Sequence, residues 1–281
     1  MNAKDYAINA EDIFVLPEAV VKIKQLIDDH TASMYEIAEI INYDPAIMSQ
    51  ILKISNSALY KFPSAITTVT KAIQVIGTRS VYDLVLAYGI ANAFKGIDAD
   101  IINLDRYWER SVSCALLAKH FAEEVGIKDP ERLFVCGLLH NLGELVMVKL
   151  NPECAKACAA INKGIKPLDL ELANLGFSYA EIAAELMKLW GLPVDIYLPI
   201  KHIHMQLDSA LSQEEQILQL SYQLAVNNVF KEFYAPYDGV KQEAYERLEL
   251  DQEQLDNALD FTNLQLISAM ALFSPSSFSL Y

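Results

Sequence analysis

Between Leu133 and Val148 the chain runs Leu-Phe-Val-Cys-Gly-Leu-Leu-His-Asn-Leu-Gly-Glu-Leu-Val-Met-Val, its most apolar stretch, with His140 and Asn141 in the middle. Leu133, Leu138, Leu142, Leu145 and Val146 keep helical spacing, and apolar residues lie on nearly every side, so the spacing predicts one buried central helix. Asp129-Pro130 offers an N-cap and a first-turn proline for its start. Burying an imidazole and an amide costs a few kcal/mol unless both find hydrogen-bond partners. Other segments therefore have to bring polar partners or a ligand to this point, and the remaining helices have to be arranged around it.

The rest of the chain is also patterned for helices. Leu16-Pro17 opens one through about Asp29, Ser33-Met-Tyr-Glu36 is a capping box, and Asp44-Pro45 starts a third that ends near Asn56-Ser57. Val69, Ala72, Ile73 and Ile76 mark a fourth closed by Gly77, and Thr78 is placed to cap a fifth of about Arg79 to Phe94. The run from about Leu104 to Val125 is amphipathic, with Trp108, Ser111, Ala115, Ala118 and Phe121 inward and Gly126 at its end. Past the central stretch, Pro152 restarts a helix, Ser178-Tyr-Ala-Glu181 and Ser212-Gln-Glu-Glu215 are further capping boxes, and the acidic tail from Asp238 carries two or three weaker helices. No segment alternates with period two for long enough to read as a strand. The expected fold is all-α, a two-lobed helical bundle, with a lobe boundary at Gly96 to Asp100 and a connection too short and mixed for a flexible linker.

The formal charge of −15 argues against a nucleic-acid partner, because phosphate-backbone binding needs an excess of Lys and Arg. The start, Met1-Asn-Ala-Lys-Asp-Tyr, lacks signal-peptide architecture, and no run of about 18 uncharged apolar residues occurs. No membrane partner is expected, and the expected compartment is the cytoplasm. Cys114, Cys136, Cys154 and Cys158 show no Cys-x-x-Cys spacing and read as free thiols. Cys154 and Cys158, one turn apart, could share a soft metal, but no two further ligands lie nearby, so helix packing is the preferred reading.

Several spaced motifs, in order, carry a resemblance. Leu16-Pro17, Ile51-Leu-Lys-Ile-Ser-Asn-Ser57, Ala72-Ile-Gln-Val-Ile-Gly77, Leu138-Leu-His-Asn-Leu-Gly-Glu-Leu145, Gly176-Phe-Ser-Tyr-Ala-Glu-Ile182, Trp190-Gly-Leu-Pro193 and Ile200-Lys-His-Ile-His204 are similar to the HDOD domain, the HD-related output domain of bacterial signalling. The resemblance covers about residues 13–210 and implies an amino-terminal helical lobe of about 13–98, an HD-like lobe of about 99–210, and a helical extension, 211–281, packed on them. In the metal-dependent HD phosphohydrolases, which share this fold, a first His, a His-Asp doublet and further His and Asp residues hold the cation. Here the first His falls at Arg110, the doublet at His140-Asn141, a usual His at Tyr179, a His-His pair at Ile203-His204, and a late Asp or Asn near Tyr222.

What the resemblance implies is a degenerate site composed of Arg110, His140, Asn141, Glu144, Tyr179 and His204, with no catalytic residue, no metal and no cofactor. Arg110 is expected to stand in for the cation, held by Glu144 or Glu109. A smaller metal site of His140, Glu144 and His204 is the alternative. The expected function is a non-catalytic regulatory module of bacterial signal transduction that acts through protein-protein contacts, with homo-oligomerisation left open. The rivals are a divergent phosphohydrolase acting on a nucleotide or cyclic dinucleotide, which the ligand count disfavours, and a small-molecule sensor using an inter-lobe cleft.

Overall fold

The computed structural model describes residues 1–28, 33–60, 62–94, 96–97, 100–206 and 210–273. His30, Asp29, residues 98 and 99 of the expected lobe boundary, and residues 207–209 at the end of the expected domain lie outside these. Among the described residues the chain forms helices and no strand. In order they are α1 (Ala3–Glu11), α2 (Glu18–Asp28), α3 (Met34–Tyr43), α4 (Pro45–Ser55), α5 (Val69–Ile76), α6 (Thr78–Ala93), α7 (Leu104–Val125) and α8 (Pro130–Leu139). There follow α9 (Leu142–Leu150), α10 (Pro152–Cys158), α11 (Pro167–Leu175), α12 (Tyr179–Leu189), α13 (Val194–Lys201), α14 (Gln213–Val229), α15 (Gln242–Glu246) and α16 (Gln252–Phe273).

These helices fall into two compact units, one of residues 1–14 with 96–266 and one of residues 15–95 with 267 onward. In the smaller unit α2 to α5 pack among themselves and on α6, whose residues Ser80 to Ala91 are all buried. Gly89 lets α2 approach, since a Cβ there would collide with the Val20 side chain. Asn56, just past α4, fastens the loop that follows: its amide donates 2.8 Å to the Ile66 carbonyl and accepts 2.8 Å from the Ile66 N–H.

The larger unit is built on α7 and α8, with α14 packed against both. Its opening residues, a polar start by sequence, form helix α1, with Asn2 and Asp5 in a reciprocal capping box. That helix buries Tyr6, Ala7 and Ala10 and docks on α12 and α9. The pattern was faint because a nine-residue helix with three buried positions carries little periodicity.

Three local expectations need correction. The stretch around His140 is two helices: α8 ends with His140 as its C-cap, and Asn141, at φ −107° and ψ 17°, starts α9. Apolar spacing is the same for one helix or two nearly collinear ones, whereas the break comes from Asn141, whose side chain bonds locally to Glu144. Asp129 makes no side-chain cap bond to α8, although its carbonyl accepts from Arg132. Thr78 is the first residue of α6, whose N-cap is Gly77 with no side-chain cap. The segment Pro130–Leu150 is long and apolar enough to cross a membrane by length and composition, yet 89% of its most apolar window is buried inside the protein.

Candidate functional site

The break between α8 and α9 faces α7, α11, α12 and α14 within the larger unit. The helix α7 turns its Trp108, Ser111 and Ala115 face inward, and Arg110 beside it is drawn in as well, only 4% exposed. Arg110 Nη2 donates to Glu144 Oε2, and Asn141 Nδ2 donates to the same oxygen. Glu144 is itself 8% exposed, so this is a buried ion pair braced by an amide. A buried carboxylate without such partners would be strongly unfavourable, which makes the three residues one energetic unit.

His140 Nδ1 lies 2.6 Å from the Gly137 carbonyl. A carbonyl only accepts, so Nδ1 carries the ring proton and Nε2 keeps the lone pair. That Nε2 is buried and has no hydrogen-bond partner. Burial, and then the Arg110 charge, push the imidazole down to about 3, so it is neutral at physiological pH. Its ring meets Tyr222 edge-on at 5.4 Å, and His204 meets the same Tyr222 ring at 4.7 Å. Burial and Arg110 also hold His204 down to about 4.

Two glycines let the elements close on this point. A Cβ on Gly137 would sit 2.6 Å from Ala115 Cα, and one on Gly143 would fall onto the Tyr179 carbonyl. Tyr179 opens α12 behind the Ser178–Glu181 capping box, and its N–H donates 2.7 Å to Glu171 of α11. Glu171, 3% exposed, is pushed up to about 8 by burial, against the Tyr179 N–H and Arg110, which favour its ionised form. Burial and Glu144 likewise raise the phenols of Tyr107 and Tyr179.

The structure thus gathers all six sequence candidates, Arg110, His140, Asn141, Glu144, Tyr179 and His204, into one region of the larger unit. Glu109 does not pair with Arg110 and instead lies 3.8 Å from Arg106. Tyr107 and Glu171 join the cluster unannounced. Tyr107 was hidden beside Trp108, and Glu171 sits on a short helix whose sequence gives no sign of what it faces. The donor set does not fit the metal that HD enzymes hold. Among the described residues no three His, Cys, Asp or Glu side chains are placed to share an ion. Glu144 is taken by Arg110 and Asn141, and a fixed guanidinium stands where a cation would have to enter.

An all-helical unit with a His-centred helix break and an arginine–carboxylate pair at that break defines an HD-like domain with altered ligand positions. The HDOD domain family matches residues 13–206, and the chain belongs to that family, which is associated with signalling. An uncharacterized protein of Treponema pallidum is 28% identical over 205 residues, covering 72% of this chain, which spans only 39% of that relative's length. A signal transduction protein, so named provisionally, from Marinobacter aquaeolei superposes with a TM-score of 0.75 at 24% identity, covering 99% of this chain and 62% of its own. A candidate phosphohydrolase from Shewanella amazonensis superposes with a TM-score of 0.72 at 21% identity, over 95% of this chain and 96% of its own. At these identities the two structures speak for the fold.

Proposed function

We propose that this HDOD protein is a non-catalytic regulatory module of bacterial signal transduction, acting in the cytoplasm through contacts with a protein partner. The observation that carries the reading is the buried Arg110–Glu144–Asn141 unit. In a metal-dependent hydrolase the cation lowers the pKa of a bound water and polarises the phosphoryl oxygen. Here Glu144 at the break neutralises an arginine, and among the described residues no two further His, Cys, Asp or Glu side chains join His140 in a group that could hold an ion. Without that nucleophile the rival phosphohydrolase reading lacks its first step.

Elemental analysis of purified protein, together with a panel of phosphomonoesters, phosphodiesters and cyclic dinucleotides, tests this. Substoichiometric metal after dialysis and no turnover are expected. One equivalent of zinc, iron or manganese that survives dialysis and disappears in His140→Ala would overturn it.

A further inference from the structure

We propose that the larger unit carries a binding pocket for a small, uncharged heteroaromatic molecule, in the cleft bounded by Leu168, His204, Met205, Tyr222, Gln223 and Val226. The inference does not depend on the regulatory reading above. It rests on a cleft of about 240 Å³ whose lining comes from α11, α14, the segment after α13 and the loop before α15. A water's share of liquid volume is about 30 Å³, so a molecule of one or two rings would displace a handful of waters here.

The wall chemistry selects the class. Leu168 and Val226 supply apolar surface, and the thioether of Met205, 51% exposed, offers an adaptable contact. The rings of Tyr222 and His204, set 78° apart, both line the cleft and offer aromatic surface to a flat guest. Burial and Arg110 keep His204 neutral, so it offers one donor and one acceptor rather than a charge. Gln223 lines the same wall. A glutamine amide matches the adjacent donor and acceptor on the edge of a heterocycle.

The charged groups at the rim argue against an anionic guest. Lys166 Nζ is held 3.0 Å from Asp238 and 2.7 Å from Asn227 Oδ1, and Asp169 accepts the Lys166 backbone N–H at 2.9 Å. The cation present is therefore already matched, and the two aspartates leave no surplus positive charge for a phosphate or carboxylate.

Methyl-labelled methionine makes the 281-residue chain report on the cleft, with Met205→Leu identifying the Met205 signal. Adenine and nicotinamide, as neutral heteroaromatic probes, are expected to shift that signal saturably, and benzoate, as the anionic control, to leave it unmoved. Val226→Trp, which fills the cleft, should weaken adenine binding by at least about tenfold. Gln223→Leu, which keeps the volume and removes the amide, should weaken it several-fold even if the tryptophan variant does not fold. A Met205 signal that neither neutral probe moves at millimolar concentration would overturn the pocket. Benzoate binding as tightly as adenine, or adenine binding unchanged in Gln223→Leu, would overturn the ligand class.

Discussion

Arg110 and Glu144 hold each other inside the protein, and each removes the reason for the other's cost. Truncating Arg110 to alanine leaves Glu144 buried against Asn141 alone, and breaking a buried pair costs about 3–5 kcal/mol. Denaturant melts of Arg110→Ala should show a loss of that size. A loss under about 0.5 kcal/mol, the range of ordinary surface changes, would mean that the guanidinium does not neutralise this site. Glu171 carries a separate, pH-dependent load. In the unfolded chain its proton leaves near 4.5, while in the folded protein it is retained up to about 8. Between those values the folded state binds a proton the unfolded state has released, so stability falls as pH rises through the window. His140 and His204, held down to about 3 and about 4, act oppositely: below their ordinary value of 6.5 the unfolded chain takes up protons that the folded one refuses. The interval from 6.5 to about 8 therefore separates Glu171 from the two histidines. Glu171→Gln stays neutral and can still accept from the Tyr179 N–H, so melts of the variant across that interval should lose the decline seen in the parent. Parallel profiles for the two proteins would assign the decline to another group.

At the level of helices, what was legible in the sequence was what is local. The Ser33, Ser178 and Ser212 capping boxes all form, because each needs only two side chains three residues apart. The all-α class and the burial of the Leu133–Val148 stretch were legible for the same reason, since periodicity is a local property. The break at His140-Asn141 was not, because the apolar spacing runs through it unchanged, and Glu171 was invisible because its partner is a backbone N–H on the next helix. The alignment with HD motifs located the site, but its new pairing had to be seen in three dimensions. Gly143 tests how tightly the break is packed. A methyl group there meets the Tyr179 backbone, which cannot swing aside as a flexible side chain could. Gly143→Ala should cost at least the roughly 1–3 kcal/mol typical of overpacking, despite alanine's better helix propensity, which would contribute about 1 kcal/mol in the other direction. Equal or greater stability in denaturant melts would show that α9 and α12 can separate freely.

For the whole molecule, the segment matched to the HDOD family and the physical unit are not the same. The match covers 13–206, whereas the larger unit contains residues 1–14 and continues to 266. What lies outside the match is structural. On the amino-terminal side, α1 seals α12 and α9, with Tyr6 against Phe177 at 6.0 Å and its hydroxyl accepting 3.1 Å from Asn151. On the carboxy-terminal side, α14 packs along α7, Arg106 donates to the Val229 carbonyl, and Gln219 ties down the His202 carbonyl at 2.8 Å. The same helix supplies Tyr222, the ring that both His140 and His204 touch. Cutting the chain to 13–206 would strip α14 from α7 and α1 from α12 and α9, and return to water the apolar side chains those helices cover. Each large apolar side chain returned to water forfeits about 1.5–3 kcal/mol, and several such losses exceed the 5–15 kcal/mol that typically holds a domain together. A protein of residues 13–206 is therefore expected to lose the cooperative thermal transition of the full chain by circular dichroism, and to bind a dye for exposed apolar surface. A sharp transition at the parent's midpoint would show that α1 and α14 are accessories, and that the site at the helix break holds together without Tyr222.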